Sequence, residues 1–200
     1  MRILLDQNLP PKLNRGCVDG GGALTFPHNG EMLVIFAGLP GVGKTAIARE
    51  LARQIGAVHL RIDSIEQAIR DSAIGIQALD DVGYRVAYAV AEDNLRIGRI
   101  VIADSVNPLR ITRDAWVEVA RRAGVRAVEI EVICPVREEH RRRVEGRVTD
   151  IPNLTAPTWA DVAAREYQLW DREHLVVDSA ERTVAENVRL IRDRLGLGTC

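Results

Sequence analysis

Residues 38–45 read GLPGVGKT and match the pattern G-x-x-x-x-G-K-T at every fixed position. Glycine lets the backbone turn tightly and approach a ligand closely, because it has no Cβ. The amide groups of such a loop form a concave anion site. Lys44 can then reach the β- and γ-phosphates, and the Thr45 hydroxyl can bind Mg²⁺. The motif therefore predicts that the chain binds the triphosphate of ATP or GTP.

The segments on either side of this loop have the pattern that the motif requires, a strand before it and a helix after it. Residues 32–37 form an unbroken apolar run, which is typical of a strand buried on both faces of a parallel sheet. Ile47 and Leu51 recur at helical spacing, and Gly56 is a natural helix stop. The alternative is a glycine-rich turn that binds nothing. Against it, Lys44 is one of only two lysines in a chain that otherwise uses arginine.

The predicted nucleotide contacts belong to this loop and to the residue after it. They are Gly38, Leu39, Pro40, Gly41, Val42, Gly43, Lys44, Thr45 and Ala46. Lys44 is also a predicted catalytic residue, because its ammonium group can neutralise charge on the phosphate that is transferred.

Asp104 directly follows the apolar residues 100–103, so we expect it at the carboxyl end of a buried strand. In open α/β sheets this end borders the ligand crevice. A carboxylate there can hold Mg²⁺ directly or through water, which makes Thr45 and Asp104 the predicted metal residues. The alternative is an aspartate that only stabilises the turn at 104–108.

Asp63 follows a second predicted strand at 58–62. A carboxylate across the crevice from the γ-phosphate can accept the proton of a substrate hydroxyl, which makes Asp63 a predicted catalytic base. Asp63 or Ser64 can equally be the N-cap of a following helix, with Glu66 or Gln67 completing a capping box. Both interpretations stay open at this point.

Residues 137–147 carry five arginines. Spacings of three and four residues put Arg137 and Arg141 near one helical face, with Arg147 as a further candidate for that face. On a lid, such guanidinium groups clamp phosphates and stabilise charge in the transition state, so Arg137 and Arg141 are predicted catalytic residues. The alternative is a solvated helix face, since glutamates at 138, 139 and 145 alternate with the arginines.

From residue 32 onward, short apolar runs alternate with amphipathic segments. The predicted strands are 32–37, 58–62, 100–103, 127–134 and 174–177. The predicted helices after the first one are 64–71, 83–97, 112–123, 136–148 and 183–195, with a short helix in the proline-containing region before the last strand. Strands separated by helices imply parallel pairing with helices on both faces of the sheet.

Composition narrows the remaining possibilities. Two hundred residues suit one domain with a full core, and a net charge of −1 gives no strong signal for nucleic-acid binding. No apolar run approaches the roughly 20 residues of a membrane span. Three cysteines without a C-x-x-C pair indicate reduced thiols and a cytoplasmic protein. Residues 1–30 contain a run of three glycines and are predicted to be a loose extension, which leaves 31–200 as the domain.

With these residues in view, the segment 32–195 resembles the small P-loop kinases grouped with AAA-family ATPases and predicted kinases. Chloramphenicol phosphotransferase, gluconate kinase, zeta-toxin kinases and the kinase domain of polynucleotide kinase are relatives in that group. The resemblance rests on the loop 38–45, on Asp63, and on four further blocks: VIADSVNP at 101–108, HRRRVE at 140–145, DIP at 150–152 and PTW at 157–159. Residues 1–30 depart from it, because this family does not need them.

The resemblance implies a P-loop NTPase fold, a three-layer α/β sandwich with a five-stranded parallel sheet in the order 2-3-1-4-5 and a helical lid. It implies ATP and Mg²⁺ as cofactors and an adenine site near Asp178 and Ser179. In such a kinase Asp63 matches the substrate-facing aspartate and Asp104 the strand-end carboxylate, while Arg137 and Arg141 match the lid arginines.

The predicted function is transfer of the γ-phosphate of ATP to a hydroxyl of a small molecule or nucleotide. One alternative is a regulatory nucleotide-binding ATPase without such an acceptor. A guanine-reading N-K-x-D motif is impossible, because no lysine follows Lys44. A mechanical AAA+ ATPase would need a further helical domain, for which the chain is too short. A toxin that phosphorylates a nucleotide sugar or an RNA end would differ only in its acceptor. The sequence predicts neither the acceptor nor the oligomeric state.

Overall fold

A computed structural model describes residues 31–72 and 81–197 of the chain. The extension predicted for 1–30 lies outside the described residues. Five strands form one parallel sheet in the order β2-β3-β1-β4-β5. They are β1 Met32–Ala37, β2 Val58–Arg61, β3 Val101–Asp104, β4 Arg126–Ile133 and β5 Leu175–Asp178. The predicted strand order is confirmed.

Helices connect consecutive strands and cover both faces of the sheet. They are α1 Lys44–Ile55, α2 Ile62–Arg70, α3 Val82–Arg96, α4 Arg110–Ala123, α5 Arg137–Glu145, α6 Trp159–Ala164 and α7 Val184–Leu195. Within the described ranges, every helix is too short or too polar to cross a bilayer.

The central strand β1 is buried along its whole length and supplies both faces of the core. Met32, Val34 and Phe36 point to the face that α1 and α7 cover, where they pack with side chains such as Ile47 and Ile191. The residues between them point to the other face.

On that second face, Leu33 and Ile35 pack against α3 and α4, with Leu95 and the fully buried Trp116 among their neighbours. Because β1 alternates between two helical layers, it reads as a continuous apolar run in the sequence. The three-layer α/β sandwich is therefore confirmed.

The boundary between β2 and α2 differs from the prediction. Strand β2 ends at Arg61, and α2 begins immediately at Ile62 without an intervening loop. Arg61 is the N-cap residue and makes no capping bond through its side chain. The capping box proposed for Asp63 or Ser64 is therefore wrong. Both residues lie inside the first helical turn.

The loop after β3 is tied to the end of β1. The amide of Gly38 donates to the carbonyl oxygen of Val106 at 3.1 Å, and the side-chain amide of Asn107 donates to the carbonyl oxygen of Phe36 at 2.8 Å. Asn107 is fully buried and has a φ of 44°, a conformation that asparagine tolerates better than most residues. These bonds hold Asp104, at the end of β3, next to the loop that begins at Gly38.

Candidate nucleotide-binding site

Residues 38–43 connect β1 to α1 in a loop that requires glycine for two reasons. Gly38, Gly41 and Gly43 have φ values of 135°, 86° and 95°, in the region that side chains disfavour. A Cβ on Gly38 would also lie 2.2 Å from the carbonyl oxygen of Val132, and one on Gly41 would lie 2.4 Å from a methyl group of Val144. The loop is therefore closely packed between β4 and α5.

No side chain of α1 or of its N-cap residue neutralises the amino terminus of this helix. Gly43 is its N-cap residue, so no side chain bonds the first amides, and its first turn contains no acidic residue. These amides and the partial positive charge of the helix end are a favourable environment for phosphate.

Lys44 is the first residue of α1 and is only 7% exposed. Its Nζ donates to the carbonyl oxygen of Leu39 within the same loop, at 3.0 Å. Burial lowers the pKa of Lys44 from 10.5 to about 8, although the carboxylates of Asp104 and Asp63 act in the opposite direction. A buried ammonium with so little solvation gains strongly from an added anion.

Asp104 is 3% exposed and lies close to Lys44. The Nε2 atom of His59 is 3.2 Å from its carboxylate. Burial opposes ionisation, but the His59 hydrogen bond, the charge of Lys44 and the neighbouring Thr45 hold the pKa of Asp104 below its ordinary value. Asp104 is thus an ionised carboxylate inside the site.

The structure brings Thr45 and Asp104, the two predicted metal residues, within hydrogen-bonding reach of each other. A hydroxyl and a carboxylate are oxygen ligands of the type that Mg²⁺ prefers, with the remaining positions taken by phosphate oxygens and water. In the described part of the chain, no group of three or more His, Cys, Asp or Glu residues forms a separate metal centre. The residues therefore fit Mg²⁺ that is bound together with a nucleotide.

A cavity of about 1140 Å³ opens at the carboxyl end of the sheet. Most of the predicted site residues line it: Pro40, Gly41, Gly43, Lys44, Thr45, Ala46, Asp63 and Asp104. Gly38, Leu39 and Val42 do not line the cavity. Val42 belongs to the core. The Gly38 amide donates to Val106 in the loop after β3, and the Leu39 carbonyl oxygen accepts from the Val42 amide and from Lys44.

Asp63 lines the same cavity from the first turn of α2. Its side chain is 40% exposed, and its carboxylate is 3.8 Å from a guanidinium nitrogen of Arg147. Its negative charge also affects Lys44. The carboxylate therefore lies near Lys44 and near Arg147, which belongs to the segment 137–147 that is called the lid below.

Arg137 and Arg141 are not among the cavity residues. The guanidinium group of Arg137 lies over the ring of Trp159, and Arg141, which is 59% exposed, pairs with Glu145. Arg143 and Arg147 line the cavity instead. The arginine-bearing segment borders the cavity, but of the arginines that helical spacing favoured only Arg147 lines it, and Arg143 lines it in place of Arg137 and Arg141.

Contacts with the phosphate loop explain this rotation of α5. Its buried residues are His140 and Val144. The Nε2 atom of His140 is 2.8 Å from the carbonyl oxygen of Pro40, and Val144 packs on Gly41. The helix is therefore attached to the loop through the face that carries these two residues.

Arg143 connects the lid to the loop after β5. Its guanidinium group donates to the hydroxyl and to the carbonyl oxygen of Ser179, both at 3.0 Å, and pairs with Glu139. Sequence reasoning missed Arg143 and favoured its neighbour Arg141. No signal in the HRRRVE block could have distinguished them, because the choice depends on a residue 36 positions away.

Comparison with known proteins agrees with this geometry. The AAA domain family model matches residues 33–169. No curated protein matches the chain significantly.

Three solved structures of similar proteins illustrate the fold. An APS kinase from Mycobacterium tuberculosis, in complex with AMPPNP and APS, is 21% identical with a TM-score of 0.61, over 84% of this chain and 98% of that one. A gluconokinase from Sinorhizobium meliloti is 19% identical with a TM-score of 0.58, over 84% and 93% of the two chains. Kti12 from Chaetomium thermophilum, in complex with ADP-AlF3, is 20% identical with a TM-score of 0.60, over 84% and 99%. At these identities the similarity shows the fold.

Proposed function

The chain belongs to the AAA domain family, and on that basis we propose that it is a phosphotransferase that moves the γ-phosphate of ATP to a hydroxyl of a small molecule or nucleotide. One observation carries the proposal: Lys44, Thr45 and Asp104 share a single cavity with Asp63, which approaches it from another wall. The cavity, at about 1140 Å³, exceeds the roughly 300–1,000 Å³ of a typical small-molecule site and has room for a donor and an acceptor together. The predicted domain 31–200 would carry the activity.

In this proposal the loop amides and Lys44 bind the phosphates, and Thr45 and Asp104 would hold Mg²⁺. The metal neutralises phosphate charge when the nucleotide is bound. The adenine would lie near Ser179, beside β5. His59 keeps Asp104 ionised and oriented through its hydrogen bond.

Transfer then needs one proton movement. The acceptor hydroxyl gives its proton to Asp63, its oxygen bonds to the γ-phosphorus, and the bond from that phosphorus to the bridging oxygen breaks, which leaves ADP. Arg147, which is 3.8 Å from Asp63, is the lid arginine best placed to stabilise the transferred charge. The roles predicted for Arg137 and Arg141 stay predictions, because they would need α5 to rotate or close.

The similarity to a gluconokinase and an APS kinase supports a small-molecule acceptor. A second candidate is a nucleotide-binding ATPase without such an acceptor, which the similarity to Kti12 with bound ADP-AlF3 favours. We propose the cytoplasm as the compartment, since Cys134 is a buried free thiol.

Incubation of the full chain with Mg²⁺ and γ-labelled ATP tests this proposal, with a panel of alcohols, sugars, nucleosides and oligonucleotides as acceptors. We expect the label to appear on at least one acceptor, with an equal amount of ADP. If the label appears only as inorganic phosphate, whichever acceptor is present, the result would instead favour the second candidate.

A further inference from the structure

The cavity continues past Asp63 toward β2, and a buried arginine lies at that end. Arg61 is the last residue of β2 and is 8% exposed. One of its terminal nitrogens donates to Asp150 at 2.8 Å, but its Nε is buried and has no hydrogen-bond partner among the described residues. Buried polar atoms are usually bonded, and an unpaired guanidinium N–H is costly. The Nε atom itself is closed off from the cavity, but no hydrogen bond or ion pair of the described residues uses the second terminal nitrogen of Arg61. That nitrogen is the one available to an anion in the cavity that Arg61 lines.

Other arginines of this wall are also weakly engaged. Arg70 is 3.6 Å from Glu66, and Arg147 is 3.8 Å from Asp63. Both contacts are ion pairs, but their distances are too long for hydrogen bonds. Arg165 also lines the cavity, where its charge acts on Glu66 of α2 and on Lys44, but within the described residues no carboxylate lies close enough to form an ion pair with it.

The carboxylate of Asp150 shows that the arginines at this end of the cavity can bind an anionic oxygen. This carboxylate receives hydrogen bonds from Arg61 at 2.8 Å and from Arg49 at 2.5 Å. It is half exposed, and it belongs to the segment after α5 that borders the cavity. These hydrogen bonds hold the pKa of Asp150 well below its usual range. An anionic oxygen is thus already bound to Arg61 in this structure.

The topology separates this end from the nucleotide. The phosphate loop follows the central strand β1, and the proposed adenine site lies beside β5, at one edge of the sheet. Arg61 lies on β2, at the opposite edge. Arg61 is therefore available to the acceptor, and Asp63, two residues further along the chain in the first turn of α2, lines the same cavity.

We infer that the acceptor carries an anionic group, a carboxylate or a phosphate, which Arg61 and Arg165 bind at the β2 edge of the cavity while its hydroxyl faces Asp63. This inference rests on the proposed function and narrows its acceptor to anionic hydroxy compounds. Guanidinium groups suit this task because they bind carboxylate and phosphate oxygens in pairs.

The test uses the full chain saturated with Mg·AMPPNP, so that the phosphate loop is occupied. Inorganic phosphate and acetate are then titrated separately at constant ionic strength, and binding is followed by calorimetry and by the rise in melting temperature. We expect saturable binding of at least one of them, and the stronger ligand identifies the class of anion. Arg61→Gln and Arg165→Gln should each weaken that binding roughly tenfold or more, while Mg·AMPPNP affinity stays unchanged.

Arg85→Gln is the matched control, because Arg85 is 74% exposed on α3 and away from the cavity. Arg165 is exposed, so its variant keeps the test valid if Arg61→Gln folds poorly. Wild-type protein that binds Mg·AMPPNP but neither anion would overturn the inference and leave the proposed function intact. Equal anion affinity in wild type and Arg165→Gln would do the same. Failure to bind Mg·AMPPNP would contradict the proposed function, and the inference with it.

Discussion

Lys44 and Leu39 face each other across the phosphate loop, with the Nζ atom of Lys44 donating to the Leu39 carbonyl oxygen at 3.0 Å. The lysine is nearly buried, and this carbonyl replaces only part of the solvation that it would have in water. A bound triphosphate would supply the missing charge. Removal of the Lys44 charge should therefore weaken nucleotide binding but increase the stability of the nucleotide-free protein.

Lys44→Met should abolish Mg·ATP binding and raise the stability of the nucleotide-free protein. In the unfolded chain Lys44 keeps its proton up to about pH 10.5, whereas in the folded protein the pKa is about 8. The unfolded state thus binds more protons between these values, so the penalty is fully present below pH 8 and disappears toward pH 10.5. We expect a gain of roughly 1 to 3 kcal/mol at pH 7 in urea unfolding, and a smaller gain at pH 10. A variant that is less stable at pH 7 would contradict this.

Gly38→Ala should destabilise the protein by about 3 kcal/mol or more, because the new Cβ meets the backbone of Val132 and the φ of 135° is strained. Gly56→Ala is the matched control. Gly56 also has a positive φ, 65°, but nothing lies within 4 Å of a Cβ there. That substitution should cost only about 1 kcal/mol. Equal urea midpoints for the two variants would mean that the packing of the loop against β4 is not as described.

Asp104→Asn should reduce the effect of Mg²⁺ on nucleotide affinity. The amide lacks the charge that Mg²⁺ needs, so we expect the metal to enhance AMPPNP binding about tenfold less than in wild type. Fluorescence titration with and without Mg²⁺ measures this. Asp93→Asn, on the exposed face of α3, is the control and should behave as wild type. An unchanged Mg²⁺ response in Asp104→Asn would remove this residue from the metal site.

Asp63→Asn should leave ATP affinity nearly unchanged and slow phosphate transfer about a hundredfold or more, which is the usual contribution of a general base. Asp81→Asn is a suitable control, because Asp81 is a 70% exposed aspartate that precedes α3. Rates are measured with the acceptor that the panel identifies. Transfer by Asp63→Asn at the wild-type rate would show that another group accepts the proton.

Much of the fold is predictable from local patterns. Buried parallel strands read as short apolar runs, so the predicted strands agree with the structure to within about one residue at each end. The glycine loop was identified from its motif alone, because the two glycines that the motif fixes, Gly38 and Gly43, have the positive φ values that favour glycine. The order of the strands came from the family resemblance and not from periodicity.

The side-chain orientations around the cavity were not predictable in this way. The rotation of α5 depends on His140 and Val144 meeting a loop about 100 positions earlier in the chain, and helical spacing alone favoured Arg137 and Arg141. Arg61 reads as an ordinary strand-end arginine, and its burial depends on Asp150, 89 positions later. Long-range contacts, which no local pattern encodes, decide which arginines reach the site.

Calorimetric titration of the full chain with Mg·ATP is the most direct measurement of the central claim. We predict one binding site per chain in wild type and no detectable binding in Lys44→Met, with both proteins folded by circular dichroism. Folded wild-type protein that binds no ATP in the presence of Mg²⁺, or a Lys44→Met variant that binds it equally well, would contradict the account.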